Sequence, residues 1–307
     1  MNLDIFDQGS NIGAAGPDWL TSPFTAWGLL VLAGLLGTLL AMLAYDRIRA
    51  RKSVRVRRMK KSSDRDVEAM VELYERLFAE ECRVDSAEVV SWLDEDRALR
   101  KTKTHTCLHF FFVGKVNDKV VCMLKAIYST EWKFLFIAYY GIDTTENLAR
   151  RRCAPDMLKA LGRLVTKELR GCRAIVFEVQ APDQRLSEKQ NAERKARIRL
   201  FRETARRLGI NIFKVDVDYL QPQMVVAANG KYSEESMALM YAPLNATPIA
   251  QGNLSRAAIM EILRFVYLEI YRPIFRHDAA KDFAYQSYLN SLLNLYEADL
   301  PDSCALT

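Results

Sequence analysis

Three consecutive arginines, Arg150, Arg151 and Arg152, stand directly before Cys153, Ala154 and Pro155. Proline is favoured in the first helical turn, so this spacing predicts a helix opening at Pro155 with three positive charges beside its unpaired N–H groups. Such a place can hold a phosphate through backbone amides, through bidentate arginine contacts, or both. The same three residues can also be a solvated surface cluster. Cys153 would act as a nucleophile only with a base at hand, and the sequence places none of His105, His109 and His277 beside it; the alternative is a half-buried structural thiol. The six cysteines, at 82, 107, 122, 153, 172 and 304, form no CxxC pair and no metal-ligand spacing with the histidines, so they read as reduced thiols and no metal is expected.

The elements around these residues follow from periodicity. Helical spacing of Val67, Met70, Val71, Leu73, Leu77 and Phe78 predicts a helix over 64–82, and a shorter one is expected over 86–98. Cys107 to Val113 and Val120 to Tyr128 read as a hairpin around Gly114 and the pair Asn117, Asp118, and Trp132 to Ile142 as a buried strand. After the helix that ends near Gly171 come a strand at 174–179, a charged helix at about 190–208 closed by Gly209, a strand at 210–217 and a last strand at 237–241. Residues 254–296 turn helical again, in two helices separated near His277 and Asp278, and the tail from Asp299 lacks periodicity.

That order, with several local phrases, resembles the GNAT superfamily of acyl-CoA-dependent N-acyltransferases over about 65–243. The phrases are LYERLFAEECR at 73–83, FEVQAP at 177–182, RIRLFRETARRLG at 197–209, YLQPQM at 219–224 and SMALMYAP at 236–243. The resemblance implies an α/β fold with a mixed, mostly antiparallel sheet flanked by helices. It also implies acetyl-CoA, or a longer acyl-CoA, held between two splayed central strands, 132–143 and 174–179. Ile142, Asp143, Arg150, Arg151, Arg152, Cys153 and Ala154 fall where the family binds the cofactor. The family loop there carries small residues, whereas Ala149 to Pro155 holds no glycine, and a side chain obstructs close approach to a phosphate.

The implied reaction is attack of an amine on the thioester, with a group to take the amine proton and often a tyrosine to protonate the thiolate. Glu178 falls where that base or a substrate anchor is expected; an acid paired with an arginine is the other reading. The family tyrosine is Phe201 here, which transfers no proton. Tyr140, Tyr219 and Tyr241 are the substitutes to weigh against plain packing aromatics.

Ahead of this domain, Phe24 to Tyr45 carries no charged side chain and is long enough to span a bilayer. Asp4, Asp7 and Asp18 precede it, and nine basic residues against one acid follow between 46 and 61. The positive-inside rule therefore predicts a single-pass anchor in the cytoplasmic membrane, N-terminus out and the soluble domain in the cytoplasm. The acidic lead and long apolar run exclude a cleaved signal peptide. Ala33, Gly37 and Ala41 form either a helix-pairing stripe or an ordinary small-residue face.

The expected organisation is an outer tail at 1–23, the span at 24–45, a basic juxtamembrane linker at 46–63, the GNAT-like domain at 64–245 and a helical extension at 246–307. Lipid headgroups along 24–61 are expected partners, as is a second copy through the span or the extension. The aromatics of 254–296 form either an intramolecular cap or that interface. The net charge of +6 is local to the basic run, with the remainder at −2, so nucleic acid is not expected. A second function class is a GNAT fold that has lost catalysis and works as a membrane-bound sensor or partner-binding module.

Overall fold

The computed structural model describes residues 54–307 except 79–82, 103–106, 146, 184–185, 227–231, 245–251 and 276–277. The proposed anchor at 24–45 and the Arg47 to Lys52 run lie outside the described residues. Among the described residues no helix is long and apolar enough to cross a membrane.

Among the described residues eight strands form one sheet in the order β1-β2-β3-β4-β5-β8-β6, with β7 also on β8. Their ranges are β1 Arg55–Met59, β2 Cys107–Val116, β3 Lys119–Ser129, β4 Phe134–Ile142, β5 Ala174–Gln180, β6 Phe213–Lys214, β7 Tyr219–Val226 and β8 Tyr232–Pro243. All pairs are antiparallel except β4 with β5. The helices in chain order are α1 Val67–Leu77, α2 Ser86–Thr102, α3 Asn147–Lys167, α4 Glu188–Arg206, α5 Arg256–Arg264 and α6 Ala279–Asp299. A π-helix, Phe265–Tyr271, and a 3-10 turn, Arg272–Phe275, join α5 to α6, and β9 Asn253–Ser255 pairs with β10 Ser303–Ala305.

The β2–β3 hairpin turns where the sequence placed it. Asn117 and Asp118 have φ of 49° and 64°, the left-handed backbone of a tight hairpin turn, which these two residue types tolerate best after glycine. α4 opens with a capping box, Ser187 accepting from the Gln190 N–H and Gln190 from the Ser187 N–H.

Strand alternation sorts the core into faces. Along β5, Ile175, Phe177 and Val179 face α3 and α4 together with Met157, Leu161 and Ala205. Ala174 and Val176 face the C-terminal elements together with Phe265, Tyr267 and Leu289. α1 and α2 cover the remainder of that second face through Met70, Tyr74, Trp92 and Phe111. Phe265, Tyr267, Tyr271, Tyr285 and Tyr296 of the extension are buried and form an intramolecular cap, each fully buried side chain contributing roughly 1.5–3 kcal/mol, whereas Phe283 is exposed.

Four expectations are corrected. The 46–63 linker contains a strand: β1 pairs with β2 from Arg55↔Lys115 to Met59↔Phe111. It is held there because Arg57 binds Asp64 and Asp66 on the approach to α1, and Lys115 joins Asp66 at 2.9 Å. The extension, expected to be helical with an aperiodic tail, also contains strand: β9 and β10 form a ribbon and Val215 bridges to Leu306. The strand expected over 210–217 shrinks to Phe213–Lys214, while Tyr219–Val226 forms a longer one on β8.

The fourth correction concerns α3, which starts at Asn147 and carries Pro155 inside it. Pro155 removes one helical hydrogen bond. The stripe Cys153, Ala154, Met157, Leu158 and Leu161, all buried, keeps the earlier turns packed on the sheet.

Candidate active site

β4 and β5 run parallel only from Phe134↔Ala174 to Ile137↔Phe177, after which the pairing stops although both strands continue. A bulge on β4 coincides with the parting: Ala126 pairs with Ile137 but Lys125 with Tyr139, leaving Ala138 extra. Beyond it, peptide groups on the facing edges of the two strands are open to a ligand that can pair as a strand would.

A cavity of about 1160 Å³ occupies the gap. Every residue from Phe136 to Ile142 and from Phe177 to Gln180 lines it. Because neighbouring side chains of a strand point to opposite faces, the cavity reaches both sides of the sheet. On one side it meets Ala196, Arg197, Leu200 and Phe201 of α4, on the other Trp92, His109 and Lys125 with Glu269 to Tyr271 of the extension.

Glu178 sits at the parting. The alternation of β5 assigns its position to the face of Ala174 and Val176, where an apolar side chain would be the rule, so a half-buried carboxylate faces the cavity from within the extension's aromatic core. Tyr219 donates to its Oε1, while Tyr271 and the Gln221 amide each donate to its Oε2 at 2.6 Å. The Gln221 amide also donates to the Tyr271 hydroxyl at 2.7 Å. Burial raises the Glu178 carboxyl to about 7 against the pull of the three donors, with Glu235 pushing the same way as burial. Burial foremost, and then the Glu178 charge, holds the Tyr219 and Tyr271 hydroxyls well above the ordinary tyrosine value, so both are donors at neutral pH.

The extension fixes this cluster through the backbone as well as through Tyr271. Tyr267 donates to the Leu220 carbonyl at 2.6 Å, and the Tyr296 hydroxyl accepts from the Leu220 N–H at 2.8 Å and donates to the Asp218 carbonyl at 2.9 Å. The first residues of β7 are thereby clamped with Tyr219 and Gln221 aimed at Glu178.

Of the residues singled out in the sequence, Glu178 and Tyr219 are brought together and Tyr140 is not. Tyr140 projects to the α3–α4 face, packing edge-on to Phe201 with ring centroids 5.3 Å apart. Its buried hydroxyl has no hydrogen-bond partner among the described residues, and burial raises it well above the usual tyrosine range. Tyr241 is buried within the core on the extension's face.

Gln221 and Tyr271 were missed as site residues. Gln221 stood inside the YLQPQM phrase, a weak signal; Tyr271 stood among the aromatics of 254–296 with nothing to distinguish it.

The expected cofactor residues divide. Ile142 lines the cavity. Cys153 and Ala154 are buried against the sheet as part of the helix interior and do not line the cavity. The reason is the earlier helix start, which moves the anion-binding N–H groups of the first turn to the neighbourhood of Thr144 and Asn147. Arg152 is exposed on the second turn; the side chains of Arg150 and Arg151 lie outside the described residues. Asp143 is buried, its carboxylate joined to Arg76 at 2.8 Å and accepting from the Thr145 hydroxyl at 2.6 Å and the Thr145 N–H at 3.1 Å. These contacts, Arg76 first, lower it to about 2 against the opposing effect of burial. It is thus a fixed negative charge just before α3 and not a phosphate contact. Among the described residues no group of acids, cysteines and histidines could hold a metal ion.

The sequence matches no protein-family model and no curated protein sequence. Solved structures similar to it include a protein assigned to the GNAT acetyltransferase family from Bacteroides thetaiotaomicron, at 16% identity over 70% of this chain and 97% of that one, with a TM-score of 0.42. A spermidine N-acetyltransferase from Vibrio cholerae in complex with CoA and spermine is 14% identical over 62% of this chain and 94% of that one, TM-score 0.37. A protein from Salmonella typhimurium assigned as an acetyltransferase and solved with acetyl-CoA is 19% identical over 63% and 95%, TM-score 0.35.

Proposed function

We propose that the chain is a GNAT-type N-acyltransferase that moves an acyl group from acyl-CoA to an amine. The observation that carries this reading is Glu178, a carboxyl raised to about 7, facing a cavity that passes through the sheet where β4 and β5 part. A thioester donor entering from the α4 side and an amine from the side of the extension would meet at that gap.

On the donor side, the open edge of β4 can pair with the amides of a pantetheine arm. Thr144 lines the cavity near the first turn of α3, and Arg197 supplies a cation from α4; these would hold the phosphates. In the transfer, the amine nitrogen forms a bond to the thioester carbon and passes its proton to Glu178. The carbon–sulfur bond then breaks and the thiolate takes up a proton. Tyr140, on the donor side against Phe201, is the hydroxyl we assign to give it. A base near 7 is matched to neutral pH, where proton acceptance is worth about 10²–10⁴-fold.

The apolar run at 24–45 and the basic run after it support attachment to the cytoplasmic membrane with the domain inside. An acceptor near the inner leaflet fits that attachment. Retention in the membrane fraction at high salt, lost on deletion of 1–45, is the check on this part.

A second reading, a module that binds a ligand or partner without turnover, draws on Asp143. Its buried negative charge lies just before the helix start that would receive phosphate. Thermal unfolding of the full-length chain with acetyl-CoA, a long-chain acyl-CoA and free CoA separates the two, because a ligand at 100 times its dissociation constant adds about 2.7 kcal/mol. Stabilisation followed by CoA release with a panel of primary amines supports the acyltransferase. No shift with any of the three sinks it.

A further inference from the structure

The hydrogen bonds at Glu178 leave little freedom. A carboxylate offers about four acceptor positions, two on each oxygen. Tyr271 and Gln221 occupy both on Oε2, and Tyr219 takes one on Oε1. Among the described residues one position remains, on Oε1. The Tyr271 rotor is itself fixed, because its oxygen accepts from Gln221 at 2.7 Å and its proton is left for the carboxylate.

Tyr271 is the last residue of the π-helix Phe265–Tyr271. A π-helix is rare, and its wider turn resets the direction of the side chains at its end. The next residues, Arg272–Phe275, close the segment as a 3-10 turn in which Pro273 and Ile274 wall the same cavity.

We propose that Tyr271, supplied by the C-terminal extension, is a positioning residue for the acyl transfer proposed above: by filling the last place on Glu178 Oε2 it directs the acceptor amine to Oε1. The extension is then part of the active site as well as its cap. The inference rests on the acyltransferase reading for its chemistry but not for its geometry. The groups acting on Glu178 are Tyr219 and Gln221 from β7, Glu235 from β8, and Tyr267 and Tyr271 from the extension; His109 of β2, Lys125 of β3 and Glu269 of the extension line the same side of the cavity, and Arg194 of α4 stands 3.8 Å from Glu235. Of these, Tyr271 and Gln221 act on Oε2.

The test needs no acceptor. In the full-length chain labelled with 13C at glutamate side-chain carboxyls, the resonance missing from Glu178→Gln reports this group. Tyr271→Phe keeps the ring and removes one donor to the ionised form, so the titration midpoint is expected to rise by about one pH unit. Gln221→Met removes the other donor to the same oxygen and is expected to move it the same way. Unmoved midpoints in both variants overturn the proposal. Where amine acylation by acetyl-CoA is measured, the kcat/KM profile of Tyr271→Phe must rise with the NMR midpoint while KM for acetyl-CoA stays put; a profile unchanged from wild type also overturns it. A moved midpoint in a chain that acylates no amine upholds the hold of Tyr271 on Glu178 and removes the acyltransferase reading alone.

Discussion

The Tyr271 hydroxyl lies 2.6 Å from Glu178 Oε2 across 93 residues of chain, joining the end of the C-terminal π-helix to the strand at the centre of the sheet. The contact ties the cap to the gap between β4 and β5. Its consequences for Glu178 can be measured in stability as well as in turnover.

Glu178 binds its proton more tightly folded, at about 7, than its ordinary value of 4.5. The folded state therefore holds the extra proton between those values. Stability from this group is complete below 4.5 and is lost as pH rises through 7, on the order of 3 kcal/mol at 1.36 kcal/mol per pKa unit. Glu178→Gln is expected to remove that decline. Urea unfolding of both proteins at pH 4.5, 6 and 8 checks it, and parallel curves would refute the assignment.

The same variant bears on turnover. Glu178→Gln is expected to lower kcat by about 10²–10⁴-fold with acyl-CoA affinity unchanged. In the wild type, kcat/KM should climb with pH through about 7 as the base ionises. Steady-state kinetics from pH 5.5 to 8.5 decide it, and full activity in the glutamine variant would remove Glu178 from the mechanism.

Tyr140→Phe should separate activity from stability. Its hydroxyl is buried and unpartnered among the described residues, so removing it is expected to stabilise the fold by about 1 kcal/mol, while loss of the proton donor lowers kcat tenfold or more. Calorimetry and single-turnover kinetics together test this. A destabilised or fully active variant would count against the role given to Tyr140.

Asp143 gives the opposite pH dependence to Glu178. Its folded value is depressed to about 2 from 3.8, so its contribution is present above 3.8 and lost as pH falls through 2. Asp143→Asn should cost no more than about 2 kcal/mol at neutral pH, because the Arg76 side chain is 53% exposed and the pair is screened. The cost should vanish toward pH 2. A cost that persists there would show that the Thr145 contacts, and not the charge, carry the loop.

Gly114 is required by contact. A Cβ there would stand 2.4 Å from the Cys122 Sγ and 2.9 Å from Val54 Cγ1, both on buried residues. Gly114→Ala is expected to destabilise by about 1–3 kcal/mol, read from the urea midpoint at unchanged slope. An unshifted midpoint would mean that β1 yields freely at this edge.

By itself the sequence determined what local chemistry dictates. Asn117 and Asp118 specified the hairpin because few residue types accept positive φ. Apolar, β-prone runs marked β2 to β5, and Glu178 stood out as an acid at a strand end. The helix start was misplaced because Pro155 signals a first turn locally, whereas burial of Cys153 and Ala154 outweighs one lost hydrogen bond. Only the tertiary structure decided that Glu178 and Tyr219 share a site while Tyr140 faces the other side, since that depends on strand parity and on the bulge at Ala138. It alone brought Tyr271 to Glu178: an aromatic stripe says only that a helix will be buried, and the partner it is buried against is fixed when chain closure brings residues 93 apart into contact.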